Sequence, residues 1–132
     1  MDKKKKILVI DDDESMGSIV KLHLERSGKY EVFIYTDGQE GITAVKHRKP
    51  DLILLDILMP NMSGTDVIER LLEDKMTKDI PVIFLTGAVT KEDIKIQGGV
   101  VGGRRFLAKP VSVRDLLDTV ESALLQLPAS ID

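Results

Sequence analysis

Short apolar blocks alternate along this chain with longer stretches in which apolar residues recur at helical spacing. Ile7-Leu-Val-Ile10, Leu52-Ile-Leu-Leu55 and Val82-Ile-Phe-Leu85 have the length and composition of strands buried on both faces. Glu31 to Tyr35 alternates and is β-rich, as a less buried strand would be. Arg104 to Ala108 reads as the last strand. Between these blocks, Met16, Ile19, Val20 and Leu24 mark one helix face, with Gly28 as the stop. Gly38 to Lys46 reads as a short helix ended before Pro50. Thr65 to Leu72 is helical, with Val67, Ile68, Leu71 and Leu72 on one side. Thr90 to Gln97 reads as a helix with Thr90 as its possible cap. The glycines of Gly98 to Gly103 weaken any helix there, at roughly 1 kcal/mol each. Val113, Leu116, Leu117, Val120 and Leu124 form the cleanest helical stripe.

A strand followed by a helix, repeated five times, predicts an α/β fold: a doubly wound parallel sheet of five strands with five helices and right-handed crossovers. The expected organisation is a single domain over residues 1–132, with its core at about 5–125 and 126–132 as a tail or the start of a linker.

Composition narrows the chemistry. The charged fraction of 31% and hydrophobic fraction of 42% are those of an ordinary globular domain. A net charge of −3 gives no general affinity for nucleic acid. The absence of cysteine excludes disulfides, thiolate metal sites and cysteine nucleophiles. No apolar run has membrane-spanning length, and the lysines at Lys3 to Lys6 precede too short an apolar block for a signal peptide, so a cytoplasmic location without membrane insertion is expected. His23 has no matching ligand at helical spacing, His47 lies in the polar Lys46 to Lys49 stretch, and neither reads as catalytic.

The chemistry collects at strand ends. The first strand runs into Asp11-Asp12-Asp13-Glu14, the third ends on Asp56, the fourth on Thr86, and the fifth on Lys109-Pro110. In an open parallel sheet these ends lie along one edge, where such folds keep their sites. A run of carboxylates in place of a glycine-rich turn repels bare phosphate and suits a hard cation such as Mg²⁺. Asp11 and Asp12 fit metal ligation. Asp13 and Glu14 fit helix capping or solvation, with Asp13 or Ser15 as the cap. Asp56 is a shared ligand and a possible nucleophile, since carboxylates form aspartyl phosphates. Lys109 and the Thr86 hydroxyl suit phosphoryl oxygens. Two carboxylates about 4 Å apart repel by roughly 4 kcal/mol at an effective dielectric of about 20, so Asp12→Asn is expected to stabilise the metal-free protein.

At these residues the chain resembles the receiver domain of bacterial two-component response regulators. The resemblance rests on Asp11-Asp12, Leu-Leu-Asp56-Ile-Leu-Met-Pro60 with Gly64, Thr86-Gly-Ala, and Phe106-Leu-Ala-Lys109-Pro110, and covers about Lys5 to Leu125. It implies a flavodoxin-like sheet in strand order 2-1-3-4-5. It implies that Asp56 is the phosphoacceptor for a sensor histidine kinase, with Asp11, Asp12, Asp56 and the Leu58 backbone carbonyl around Mg²⁺. Thr86, Lys109 and Phe106 would bind the phosphoryl group or carry the switch, and Pro110 is a turn residue and candidate for a cis peptide. A downstream protein or linked output domain is the implied partner, and a homodimer through the fourth helix, last strand and last helix is compatible with it.

Some positions depart from that pattern. The helix before the last strand is glycine-rich, Arg104-Arg105 replace frequent acids, and Phe106 lacks the hydroxyl of a tyrosine. Leu58 and Ala88 flank the site without polar groups to position water, which predicts a long-lived phosphoryl group. Competing readings are a degenerate receiver acting as a docking module, a Mg²⁺-dependent phosphohydrolase, and a flavin or nucleotide binder. The hydrolase reading lacks the second aspartate it needs at position 58. The acids after the first strand oppose the nucleotide reading.

Overall fold

β1 (Lys5–Ile10) and β3 (Leu52–Asp56) run side by side in the middle of the sheet of this computed structural model, which describes residues 3–87, 100–101 and 104–125. Every residue of β3 is buried, as its unbroken apolar run requires. β2 (Tyr30–Tyr35) pairs outside β1, β4 (Val82–Thr86) outside β3, and β6 (Arg104–Ala108) outside β4, all in parallel. These five strands take the order 2-1-3-4-5 expected of the family.

A further short strand, β5 (Val100–Val101), pairs antiparallel with β6 at the sheet margin. The glycines around it signal only that a helix is disfavoured. The two β-branched valines between them favour extended backbone instead.

Four helices lie among the described residues: α1 (Glu14–Arg26), α2 (Gly38–Arg48), α3 (Gly64–Glu73) and α4 (Val113–Leu124). The fifth expected helix at Thr90 to Gln97, with Ala88 and the tail at 126–132, lies outside the described residues. Local chemistry sets the starts. Asp13, Asp37, Ser63 and Ser112 each cap a helix by accepting from backbone N–H groups of its first turn. α1 ends where Gly28 turns the chain at φ 80°.

The strand period of two divides the core between the two faces. Ile7, Val9, Leu52 and Leu54 pack with Val20 and Leu24 of α1 and with Leu116, Val120 and Ala123 of α4. Leu8, Ile10, Ile53 and Leu55 pack with Ile42 and Val45 of α2 and with Val67, Ile68 and Leu71 of α3. Two residues read as core from their helical spacing are not. Ile19 is 50% and Leu72 44% exposed. Gly17 and Val20 take the inner face of α1, and Gly17 sits so close to Ile34 that a side chain there would collide with it. No helix among the described residues is long and apolar enough to cross a membrane.

Candidate functional site

Asp11 directly follows β1 and is fully buried. Its backbone N–H donates to the Tyr35 carbonyl at 3.0 Å, which ties it to the end of the neighbouring β2. Its Oδ1 accepts from the Asp13 backbone N–H at 2.9 Å. Asp13 in turn caps α1 through its own Oδ1, accepting from Ser15 and Met16. The turn that ends β1 therefore also aims the Asp11 carboxylate. Asp12, between them, is exposed.

Asp56 ends β3 and is only 4% exposed. The chain beyond it is pinned in two places. Ile57 donates to the Leu85 carbonyl at 3.3 Å, and Gly64, the first residue of α3, donates to the Ile57 carbonyl at 2.7 Å. A Cβ on Gly64 would lie 2.7 Å from Ile57 Cα, so only glycine lets α3 start this close to the end of β3. Ser63 and Asp66 form a reciprocal capping box at that start. Leu58 projects from the same loop, 66% exposed.

Lys109 closes the group from the far strand. Its ammonium is 2.8 Å from Asp11 Oδ2 and 3.5 Å from Asp56 Oδ2. Its backbone N–H donates to the Thr86 carbonyl at 2.9 Å, so the buried Thr86 and Lys109 are held abreast. The Lys109–Pro110 peptide is cis. Phe106, two pairs up β6, is half-buried and tilts against Phe84 with ring centroids 5.2 Å apart.

The electrostatics follow from this crowding. Burial first, and then the charge of Asp11, push the Asp56 carboxyl up to about 7 against the opposing pull of Lys109. Burial works against the Lys109 ammonium, but Asp11 and Asp56 outweigh it and hold its pKa above the ordinary value. Asp11 Oδ2 is buried and accepts no aligned hydrogen bond. One carboxylate oxygen each from Asp11, Asp12 and Asp56 lie within 4.8 Å of one another. A buried, under-satisfied oxygen in an all-oxygen donor set is chemically matched to a hard divalent cation.

The structure thus brings Asp11, Asp12, Asp56, Thr86 and Lys109 to one edge of the sheet. Phe106 lies one step behind, and Leu58 and Pro110 lie on the loops. His23 and His47 take no part. In the sequence Gly64 stands out only as a motif residue, and its packing on the end of β3 was missed. The capping pair Ser63 and Asp66 was the available signal that a helix begins there.

A family model described as the response regulator receiver domain matches residues 7–121. The phosphate regulon transcriptional regulatory protein PhoB of Pseudomonas aeruginosa is 40% identical over 120 residues, covering 91% of this chain and 52% of that protein. Protein PilH of the same organism is 34% identical over 119 residues, covering 90% of this chain and 97% of its own length. The chain spans about half the length of several of the curated relatives it matches. Among solved structures, Vibrio cholerae chemotaxis protein CheY4 superposes with a TM-score of 0.76 at 30% identity, over 90% of this chain and 98% of that one. A putative response regulator from Chloroflexus aurantiacus reaches a TM-score of 0.80 at 29% identity, over 93% of this chain and 99% of its own.

Proposed function

The chain belongs to the receiver domain family of two-component response regulators, and from that premise we propose that Asp56 is its phosphoacceptor. In the reaction, an Asp56 carboxylate oxygen attacks phosphorus and the phosphorus–nitrogen bond of a kinase phosphohistidine breaks. The imidazole leaves with the bonding pair and takes up a proton. The observation that carries this reading is the placement of Asp56: buried, at the end of the central strand, with a cation and two further carboxylates against it.

Asp11, Asp12, Asp56 and the Leu58 carbonyl would hold Mg²⁺, which supplies charge neutralisation for the incoming phosphoryl oxygens. Lys109 offers its ammonium to a further phosphoryl oxygen and the Thr86 hydroxyl to another. Asp56 reacts as the anion, a form that the Lys109 cation beside it favours against burial and the charge of Asp11. Phosphorylation moves the Lys109 contact from carboxylate to phosphate and draws Thr86 toward the site. The half-buried Phe106 then turns into the space behind it, a local charge event biasing a two-state packing arrangement.

We further assign the chain as one receiver domain over residues 1–132. Its phosphodonor is a sensor histidine kinase, and its readout is a downstream protein or a linked output domain. It acts as a cytoplasmic switch whose only catalysis is of its own phosphorylation and dephosphorylation. Intact mass after incubation with acetyl phosphate tests this. A single phosphoryl adduct that requires both Mg²⁺ and Asp56, and is absent in Asp56→Asn, is the expected result. A folded, Mg²⁺-binding protein without an adduct would instead be a docking module.

A further inference from the structure

Residues 58–63 carry the chain from the end of β3 to α3, and Leu58, Pro60 and Asn61 on this loop are exposed. The Gly64 N–H closes its base on the Ile57 carbonyl. Its tip is a tight turn. The Met62 N–H donates to the Pro60 carbonyl at 2.7 Å, and Asn61 between them takes φ 69°. A three-residue turn with its central residue in the left-handed region is strained, and it persists only where its surroundings hold it.

The Met62 side chain supplies that hold. It is half-buried and packs on the core face that α2 and α3 share. Its seat is a notch at Gly38, the first residue of α2. A Cβ on Gly38 would lie 3.1 Å from Met62 Sδ, 3.2 Å from Met62 Cβ and 3.1 Å from Val67 Cγ2. Gly38 is not left-handed, so its backbone does not call for glycine; the room taken by Met62 and Val67 does. The link from Met62 back to Leu58 is stiff. The Pro60 ring fixes its own φ and confines Met59, itself packed on the same core, to extended backbone.

We infer that Met62 is a positioning residue for the cation site, and that its seat on Gly38 lets the site prefer Mg²⁺ to a larger divalent cation. The inference rests on the reading that the Leu58 carbonyl joins Asp11, Asp12 and Asp56 around Mg²⁺. A side-chain carboxylate can swing to meet an ion, whereas a backbone carbonyl moves only with its loop. Mg²⁺ requires near-ideal octahedral geometry at about 2.0–2.1 Å, and Ca²⁺ accepts irregular shells at about 2.3–2.6 Å. A loosened loop therefore costs Mg²⁺ binding more than Ca²⁺ binding.

Calorimetric titration of the metal-free full chain with Mg²⁺ alone and with Ca²⁺ alone tests this. Met62→Ala empties the seat, and Met62→Leu refills it at nearly the same volume. Met62→Ala is expected to weaken Mg²⁺ about tenfold or more. Ca²⁺ should weaken by less than about threefold, and Met62→Leu should bring both ions back to near wild type. NMR reads the ligand directly, because the Met59 amide nitrogen shares a peptide group with the Leu58 carbonyl. That nitrogen should shift on Mg²⁺ addition in wild type and Met62→Leu, and shift less at saturation in Met62→Ala. Gly38→Ala crowds the seat with Met62 in place. It should lower the preference for Mg²⁺ over Ca²⁺ as well, and it carries the test if Met62→Ala does not fold. Equal weakening of both ions, or weakening of neither, overturns the inference and leaves the reading of the site intact. A wild-type chain that binds Mg²⁺ without moving the Met59 nitrogen overturns the carbonyl's assignment and the inference with it.

Discussion

Lys109 Nζ stands 2.8 Å from Asp11 Oδ2, the one buried side-chain oxygen among the described residues without an aligned hydrogen bond. The lysine leans toward Asp11 and only secondarily reaches Asp56. Removing it leaves adjacent carboxylates uncompensated. Lys109→Met should therefore destabilise the metal-free protein at pH 8 by about 3 kcal/mol, the cost typical of breaking a buried pair from one side. Urea unfolding measures this, and the same variant should fail to form the acetyl-phosphate adduct.

The raised Asp56 pKa sets a pH dependence. The carboxyl titrates near 7 in the folded chain and near 3.8 when unfolded, so between those values the folded state holds the extra proton. Its stabilising contribution is full below pH 3.8 and is lost as pH rises through about 7. The loss amounts to about 4 kcal/mol, at 1.36 kcal/mol per unit. Denaturation without divalent cations should show stability falling from pH 5 to pH 8, and Asp56→Asn should flatten the profile. Mg²⁺ should restore more stability at pH 8 than at pH 5.

The same geometry relocates the expected relief of repulsion. Asp12 is exposed, whereas Asp11 and Asp56 are buried. Solvent screens the Asp12 charge, so Asp12→Asn should shift the metal-free melting temperature little, and Asp56→Asn should raise it clearly at pH 8. Both substitutions should still abolish Mg²⁺-dependent phosphorylation, read by intact mass.

Gly64→Ala drives a methyl group against the backbone at the end of β3. Overpacking of this kind costs about 1–3 kcal/mol. Because the displaced atoms belong to Asp56 and Ile57, the adduct should also form at least about tenfold more slowly, the equivalent of about 1.4 kcal/mol in the barrier. A time course with acetyl phosphate, compared with urea unfolding, separates the two effects.

Leu58 is 66% exposed beside the site and has no group to position water. Leu58→Asn supplies one. The phosphoryl group should then decay several-fold faster, as measured by loss of the adduct after donor removal, with little change in unfolding.

The buried strands were the most legible part of the chain. Ile7 to Ile10 and Leu52 to Leu55 have no polar interruption, and only a two-faced sheet buries such runs. The site was legible because Asp11, Asp56 and Thr86 each end or directly follow an unbroken apolar run, and Lys109 follows the last strand. What the pattern did not show was contact-dependent. Apolar spacing alone could not reveal that Ile19 faces outward, because the neighbouring Gly17 takes the close approach to Ile34. Nor could it show that Asp13 is both the α1 cap and the donor that orients Asp11, since one of those bonds comes from the backbone and carries no side-chain signature. Val100–Val101 is too short a segment for periodicity to speak at all.

The strand order separates the site's charges by mechanical rank. Asp11 and Asp56 ride on the two innermost strands, whereas Lys109 follows β6, two strands out from β3 toward the margin. Outer strands fray before inner ones. Each transient peeling of β6 would carry the ammonium away and leave the carboxylates in place, a momentary cluster of like charge that turns incoming phosphate aside. On the reading that Asp56 accepts the phosphoryl group, its chemistry would depend on β6 staying paired with β4, the pairing that carries the Lys109 ammonium to 3.5 Å from Asp56.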